Sequence, residues 1–488
     1  MKSPNIVPHT QMEPELTPDA SQRLQPDSSI TGNFSSRQPS SLSRSTAIPE
    51  EGASMYNRAR QQPRHFKSYR LRGDYVQSWA GDPRMKRTKV GNWIVLGFIA
   101  VGVCISGYIA YTGAADAKLP DQCLIMEDNF QTIDRNNWGY EIQTGGYGNG
   151  EFDWTTDDSK NSFVDAEGLH IVPTLTTEST GITEDQLLND YTLNITSSEG
   201  DGSCTSNDYK ACGVRSNATI GTILPPVRSA RMTTKGKKSI KYGRIEVVAR
   251  AAKGDWLWPA IWMMPEDSVY GDWPASGEID IAEFRGNSYT YPEGRDFVAS
   301  TLHWGPDYRH DGYIATHSTA FLRRTDFASS FHTFGFEWTQ NYIFTYLDNR
   351  LKQVLYTKYS DKNRLWKKGG FATLTTSNGT LYEDPWKTGG ANAPFDQKFY
   401  LILNVAVGAQ NGWFWDGEGK PWVDGSDFAA RDFWKARDDW LPTWGDGVAR
   451  GMTVKSVKMW QAVLFFLSSF VYNLYIHVES PAWDTSTT

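Results

Sequence analysis

The chain has 488 residues, 39% hydrophobic and 14% aromatic, with 20 Trp and a formal net charge of −7. That charge excludes an overall basic nucleic-acid surface. So many tryptophans exceed the needs of an ordinary core and suit a large aromatic core, an interface, or platforms on which the C–H faces of sugar rings stack.

Residues 1–57 are rich in Ser, Pro, Gln and Thr and poor in large apolar side chains. Such a stretch cannot bury enough surface to offset chain entropy, and the composition predicts a disordered tail. In residues 58–89 the balance turns basic, with ten Lys and Arg against Asp74 and Asp82. Residues 90–112 carry no charge and include Trp93-Ile94-Val95-Leu96-Gly97-Phe98-Ile99-Ala100-Val101. A helix of that length reaches roughly 35 Å, enough to cross a hydrocarbon core of about 30 Å. The run is too long, and starts too far into the chain, for a cleaved signal peptide. Basic residues crowd its N-terminal side and only Lys118 follows closely, which places the tail in the cytoplasm by the positive-inside rule. The expectation is a single-pass type II membrane protein that contacts lipid through 90–112, with a linker over 113–122 and everything beyond it lumenal or extracellular.

The triplets beginning at Asn194, Asn217 and Asn378 are glycosylation acceptors on that far side, whereas Asn33 falls in the cytoplasmic tail. Cys204 and Cys212 flank a short polar loop and are expected to form a disulfide in the oxidising compartment this topology implies. Cys104 lies in the apolar run, and Cys123 has no assigned partner.

From Cys123 onward, short apolar or alternating runs are separated by Gly, Asn, Asp and Pro, with no long amphipathic helical pattern. Phe163-Val164, 169–172, 244–249, 297–299, 334–338, 342–347 and 399–403 are predicted strands, and their spacing suggests an antiparallel sandwich. The 462–488 tail begins with 17 uncharged residues, borderline for a second span. A buried or membrane-skimming segment is the alternative.

One strand is chemically unusual: Glu278-Ile279-Asp280-Ile281-Ala282-Glu283. Burying an ionised carboxylate without partners costs several kcal/mol or shifts its pKa. An edge strand with its acids in water would avoid that cost. Side chains alternate, so Glu278 and Asp280 share a face while strict alternation sends Glu283 to the other. A bulge near Ile281 or Ala282 would return Glu283 to their side. The outer glutamates could then lean towards the roughly 5 to 5.5 Å carboxyl separation of a retaining glycosidase.

This stretch, preceded by Gly254-Asp255-Trp256-Leu257-Trp258-Pro259-Ala260-Ile261-Trp262-Met263-Met264-Pro265, resembles glycoside hydrolase family 16. The resemblance is to its laminarinase branch, which includes invertebrate β-1,3-glucan recognition proteins. It runs from Glu127 to Gln461 through Lys241-Tyr242-Gly243-Arg244, Ser300-Thr301-Leu302-His303-Trp304-Gly305-Pro306, 331–338 and Ile402-Leu403-Asn404-Val405-Ala406-Val407-Gly408. It implies an all-β domain over 123–461, a concanavalin A-like jelly-roll sandwich whose concave face carries the acid strand and a sugar cleft.

Carried over residue by residue, the resemblance implies Glu278 as nucleophile, Glu283 as general acid/base and Asp280 as the partner that tunes the nucleophile. It implies that Trp258, Trp262 and Trp273 hold glucosyl rings, with Trp256 either there or in the core. Arg231 and His303 match substrate-contacting positions, and Asn404 and Gln410 reach the cleft similarly. No cofactor is required. Many relatives carry a structural calcium, and Glu127 and Asp128 lie in the region that would supply it, although no metal ligand is assigned. The implied partner is β-glucan, and oligomeric state stays open. The implied activity is retaining hydrolysis or transglycosylation of β-1,3- or mixed β-1,3/1,4-glucan. The alternatives are a non-catalytic glucan-recognition protein and a wall-assembly factor like fungal β-glucan-synthesis membrane proteins.

Overall fold

The computed structural model describes residues 69, 70, 72–116 and 121–463. The tail over 1–57 with Asn33, part of the basic segment, part of the 113–122 linker and nearly all of the 462–488 tail lie outside the described residues. The chain divides into two units, Met1–Asn92 and Trp93–Thr488.

In the first unit, a turn closed by Asp82 N–H donating to the Trp79 carbonyl leads into the helix Pro83–Asp116. Asp82 caps it, its carboxylate accepting from Arg84 N–H at 2.8 Å, and proline at the first helical position costs no hydrogen bond. The helix continues into the second unit for a total of 34 residues, and its segment Pro83–Ala114 is long and apolar enough to cross a membrane. Its large apolar side chains are exposed, among them Trp93 and Phe98.

The rest of the second unit is built from β-sheet. One eight-stranded sheet runs Gln353–Lys358, Tyr342–Leu347, His332–Trp338, Gly243–Arg250, Met452–Ala462, Gly168–Ile171 and Ser162–Asp165, with Gln122–Asp128 also paired to Met452–Ala462. The other runs His317–Phe321, Phe297–His303, Glu278–Glu283, Leu257–Pro265, Phe399–Val407, Arg231–Thr233 and Gly139–Tyr140, with Ser239–Ile240 also on Phe399–Val407. Every predicted strand coincides with one of these ranges, 169–172 running one residue past Ile171.

The sheets meet through apolar side chains contributed by alternate positions. Ile279 and Ala282 of the acid strand are fully buried. Phe284, just beyond it, packs edge-on against Phe334 of the opposite sheet at 5.1 Å between ring centres. Trp338 meets Phe399 in the same way at 5.6 Å. The Thr345 hydroxyl reaches across to that of Ser300 at 2.8 Å, so a polar pair inside the sandwich satisfies itself. All nine residues of Phe399–Val407 are buried, as expected for a central strand covered on both faces.

Cys204 and Cys212 are disulfide-bonded, while Cys104 and Cys123 are free and exposed. Asn217 and Asn378 are exposed, and the Asn194 side chain accepts from the backbone and hydroxyl of Thr196.

Candidate active site

The acid strand starts at a tight turn. Gly277 has φ of 83°, the left-handed region that glycine enters without a Cβ penalty, and its N–H closes the turn on the Pro274 carbonyl at 3.0 Å. This launches Glu278 into the sheet between Leu257–Pro265 and Phe297–His303.

The register then fixes the faces. Trp262 lies opposite Asp280, Ile261 opposite Ala282, and Ala260 opposite Glu283, so Ile281 has no partner on this neighbour. The register with Phe297–His303 shifts over the same interval, between Asp280 and Glu283. Ile281 is thus the extra residue of a bulge, and it returns Glu283 to the face of Glu278 and Asp280. Residues opposite one another across antiparallel strands share a face. The face of the acids therefore also carries Arg231, Asn404, Trp262, Trp258, His303, Thr301 and His317.

Each acid is held by an aromatic or imidazole donor. Trp273 Nε1 donates to Glu278 Oε2 at 2.7 Å, and Trp258 Nε1 donates to Glu283 Oε1 at 3.2 Å. Asp280, only 2% exposed, places Oδ2 3.3 Å from His303 Nε2. The other ring nitrogen of His303 binds Asp311, whose second oxygen accepts from the backbone N–H of Trp304 and of Tyr313. Both imidazole nitrogens therefore face carboxylates, an arrangement that favours the doubly protonated ring. Burial opposes that charge, but the hydrogen bonds to Asp280 and Asp311 outweigh it and hold the His303 pKa well above its ordinary value. Ligand-capable atoms of Glu278, Asp280 and His303 lie within 4.8 Å of one another.

Three close carboxylates and one cation cannot all ionise freely. Burial, then the charge of Asp280, pushes the Glu278 carboxyl up to about 8, while the His303 cation and the Trp273 N–H pull it back. Burial, then Asp280, also raises Glu283 well above the usual carboxylate range. Glu278 and Glu283 therefore both hold their protons to higher pH than a solvated glutamate would.

The remaining predicted residues divide by position. Trp258 is buried, with its ring stacked on Trp413 at 4.9 Å and 15°. Trp262 donates to Asn404 Oδ1 at 2.8 Å. Trp273 is 41% exposed. Arg231 is buried, its Nε on Glu141 at 2.6 Å and its guanidinium between the rings of Tyr147 and Trp262, at 3.9 and 4.5 Å. Gln410 donates its backbone N–H to the Asn149 carbonyl and lays its side chain against Gly150. Trp256 belongs to the core, edge-on to Trp422 at 5.2 Å.

The calcium region does not fit a cation. Glu127 pairs with Lys458 at 3.0 Å, and the Asp128 oxygens accept from Phe130 N–H and Trp138 Nε1, each at 2.8 Å. These two residues offer no open set of donors.

Sequence reasoning missed Asp311, Trp413 and the Glu141–Arg231 pair. Trp413 had a signal in the aromatic run Trp413-Phe414-Trp415. Asp311 and Glu141 had none, because isolated acids in loops are common and their partners lie eight and ninety residues away.

The description "Glycosyl hydrolases family 16" matches residues 179–389. A β-1,3-glucan-binding protein of Penaeus monodon is 39% identical over 360 residues, covering 71% of this chain and 94% of that protein. Glucan endo-1,3-β-glucosidase A1 of Niallia circulans is 30% identical over 303 residues, covering 60% of this chain but only 35% of that protein. Among solved structures, the laminarinase catalytic domain from Thermotoga maritima MSB8 is 24% identical, covering 70% of this chain and 99% of that one at a TM-score of 0.41. With one relative matched over nearly its whole length, the chain belongs to glycosyl hydrolase family 16, in the branch of the laminarinases and β-1,3-glucan-binding proteins.

Proposed function

We propose that the protein is a membrane-anchored retaining glycosidase or transglycosylase acting on β-1,3-linked or mixed β-1,3/1,4-linked glucan. The observation that carries this reading is the bulge at Ile281, which puts Glu283 on the face of Glu278 and Asp280. In a retaining mechanism an ionised carboxylate attacks the anomeric carbon while a protonated one donates to the departing oxygen, then activates water or a sugar hydroxyl. Glu283 is the proton donor. Glu278 is the nucleophile, held by the Trp273 N–H, and Asp280 beside it is the partner that tunes it. His303, fixed as a cation, offsets charge in the row. Trp262 and Trp273 are the ring platforms.

The long apolar helix Pro83–Ala114 supports anchoring, and the basic residues before it support a type II topology with the sandwich outside the cytoplasm. A second reading, a glucan-recognition protein without turnover, is favoured by the printed name of the Penaeus monodon relative. The full chain, solubilised in detergent, is expected to release oligosaccharides from laminarin. Equal release by the wild type and Glu278→Gln would remove this site from the chemistry, and glucan binding with no new reducing ends would favour recognition alone.

A further inference from the structure

A cavity of about 400 Å³, within the usual range for small-ligand sites, lies beside the acids and is not accounted for by the mechanism. Trp273, Tyr308 and Tyr382 supply its aromatic surfaces, and Asp272, Asp307 and Glu383 supply carboxylates. Its position follows from the register. The row from Thr233 through Ile402, Trp262, Asp280 and Thr301 to His317 crosses the strands. Glu278, however, lies opposite His303. The segment before Glu278, with Trp273, and the segment after His303, with Tyr308, therefore leave the sheet at the same end. The cavity flanks the row and does not prolong it.

Trp273 is the shared wall. Its N–H is committed to Glu278, which fixes the ring, while 41% of the residue stays exposed. Tyr308 is 65% exposed, with its hydroxyl accepting from Arg309 Nε at 3.0 Å. Tyr382 is fixed by its hydroxyl donating to Asp307. No Lys or Arg lines the cavity among the described residues, so it lacks what a sulfate, phosphate or uronate would need. Flat aromatic surfaces ringed by carboxylates that accept from hydroxyls suit a neutral pyranose, whose C–H face stacks and whose O–H groups donate.

We propose that this cavity receives a neutral glycosyl branch borne by a glucan whose backbone lies along the cross-strand row through Trp262 and Asp280. The inference rests on the glucan-acting reading above and adds to it a preference for branched over linear chains.

Two probes separate the claims: a linear β-1,3-linked glucoheptaose and the same chain bearing one glucosyl branch. Affinity for the full chain in detergent is measured by calorimetry, and turnover separately by reducing-end release. The branched probe is expected to bind roughly tenfold more tightly. Tyr308→Ala should abolish that difference while leaving the linear probe unchanged, and Tyr308→Phe, which keeps the ring, should restore it. Equal affinity of the wild type for both probes overturns the branch site, as does a Tyr308→Ala loss shared equally by both. Branch-selective binding without turnover upholds the cavity and sinks only the catalytic reading. Binding of neither probe overturns both.

Discussion

His303 is clamped between two carboxylates, Asp280 at 3.3 Å from Nε2 and Asp311 on Nδ1. Asp311 is in turn fixed by the backbone N–H groups of Trp304 and Tyr313, so the loop after the strand sets the ring's charge and tilt. The other groups facing the ring are Glu278, Trp273 at 5.7 Å and Tyr313 at 5.4 Å between ring centres.

Replacing Asp311 with Asn removes one of the two bonds that hold the imidazolium. The His303 pKa is expected to fall, and kcat to fall about 10- to 100-fold, the usual scale for partners of this kind. NMR titration of the imidazole checks the first and steady-state kinetics the second. A pKa unmoved by the substitution would remove Asp311 from this role.

The pair Glu278 and Asp280 sets the acid limb of the pH–rate profile. Asp280 is the second cause, after burial, of the upward shift that brings Glu278 to about 8. Removing a like charge lowers a carboxyl pKa. Asp280→Asn should therefore move the acid limb of kcat/KM to lower pH while reducing its plateau. An acid limb that stays in place or moves to higher pH contradicts the pairing.

Stability carries the same signature with a definite sign. A carboxyl whose folded pKa is raised favours the protonated folded state, so its contribution is present below the unfolded value near 4.3 and is lost as pH rises through the folded value. For Glu278 that window runs up to about 8. Glu278→Gln, which is neutral at every pH, should raise Tm at pH 9 relative to the wild type by about 2–6 °C and change it little at pH 4. Calorimetric scans at both pH values are the check, and a Tm gain confined to the acidic scan would reverse the argument.

The topology has its own readout. In material made in a eukaryotic host, Asn194, Asn217 and Asn378 should carry glycans and Asn33 none. Peptide-N-glycosidase should then increase gel mobility, and the Asn217→Gln, Asn378→Gln double variant should show a smaller shift. Unchanged mobility of the wild type would place the sandwich in the cytoplasm.

Most of the framework was legible in the sequence because it depends on local pattern. Alternation located the strands, and the clash between alternation and three acids in six residues called for a bulge near Ile281 or Ala282, which the strand register puts at Ile281. The uncharged apolar run over 90–112 pointed to the helix, which extends from Pro83 to Asp116. What could not be read depends on which loops meet. Nothing in the order of residues says that Asp311 turns back onto His303, or that Glu141 takes one edge of Arg231 while Tyr147 and Trp262 take its faces.

The unpaired Ile281 makes the length of its strand as important as its composition. Deleting any one residue between Asp280 and Glu283 would leave every carboxylate in the sequence yet turn Glu283 into the sandwich, where Ala282 now sits at 0% exposure. A substitution of Ile281 by another apolar residue keeps the count and should be forgiven. Descendants of this chain can therefore respell the step between the two acids freely, but they cannot shorten it by one and keep both acids on the same face.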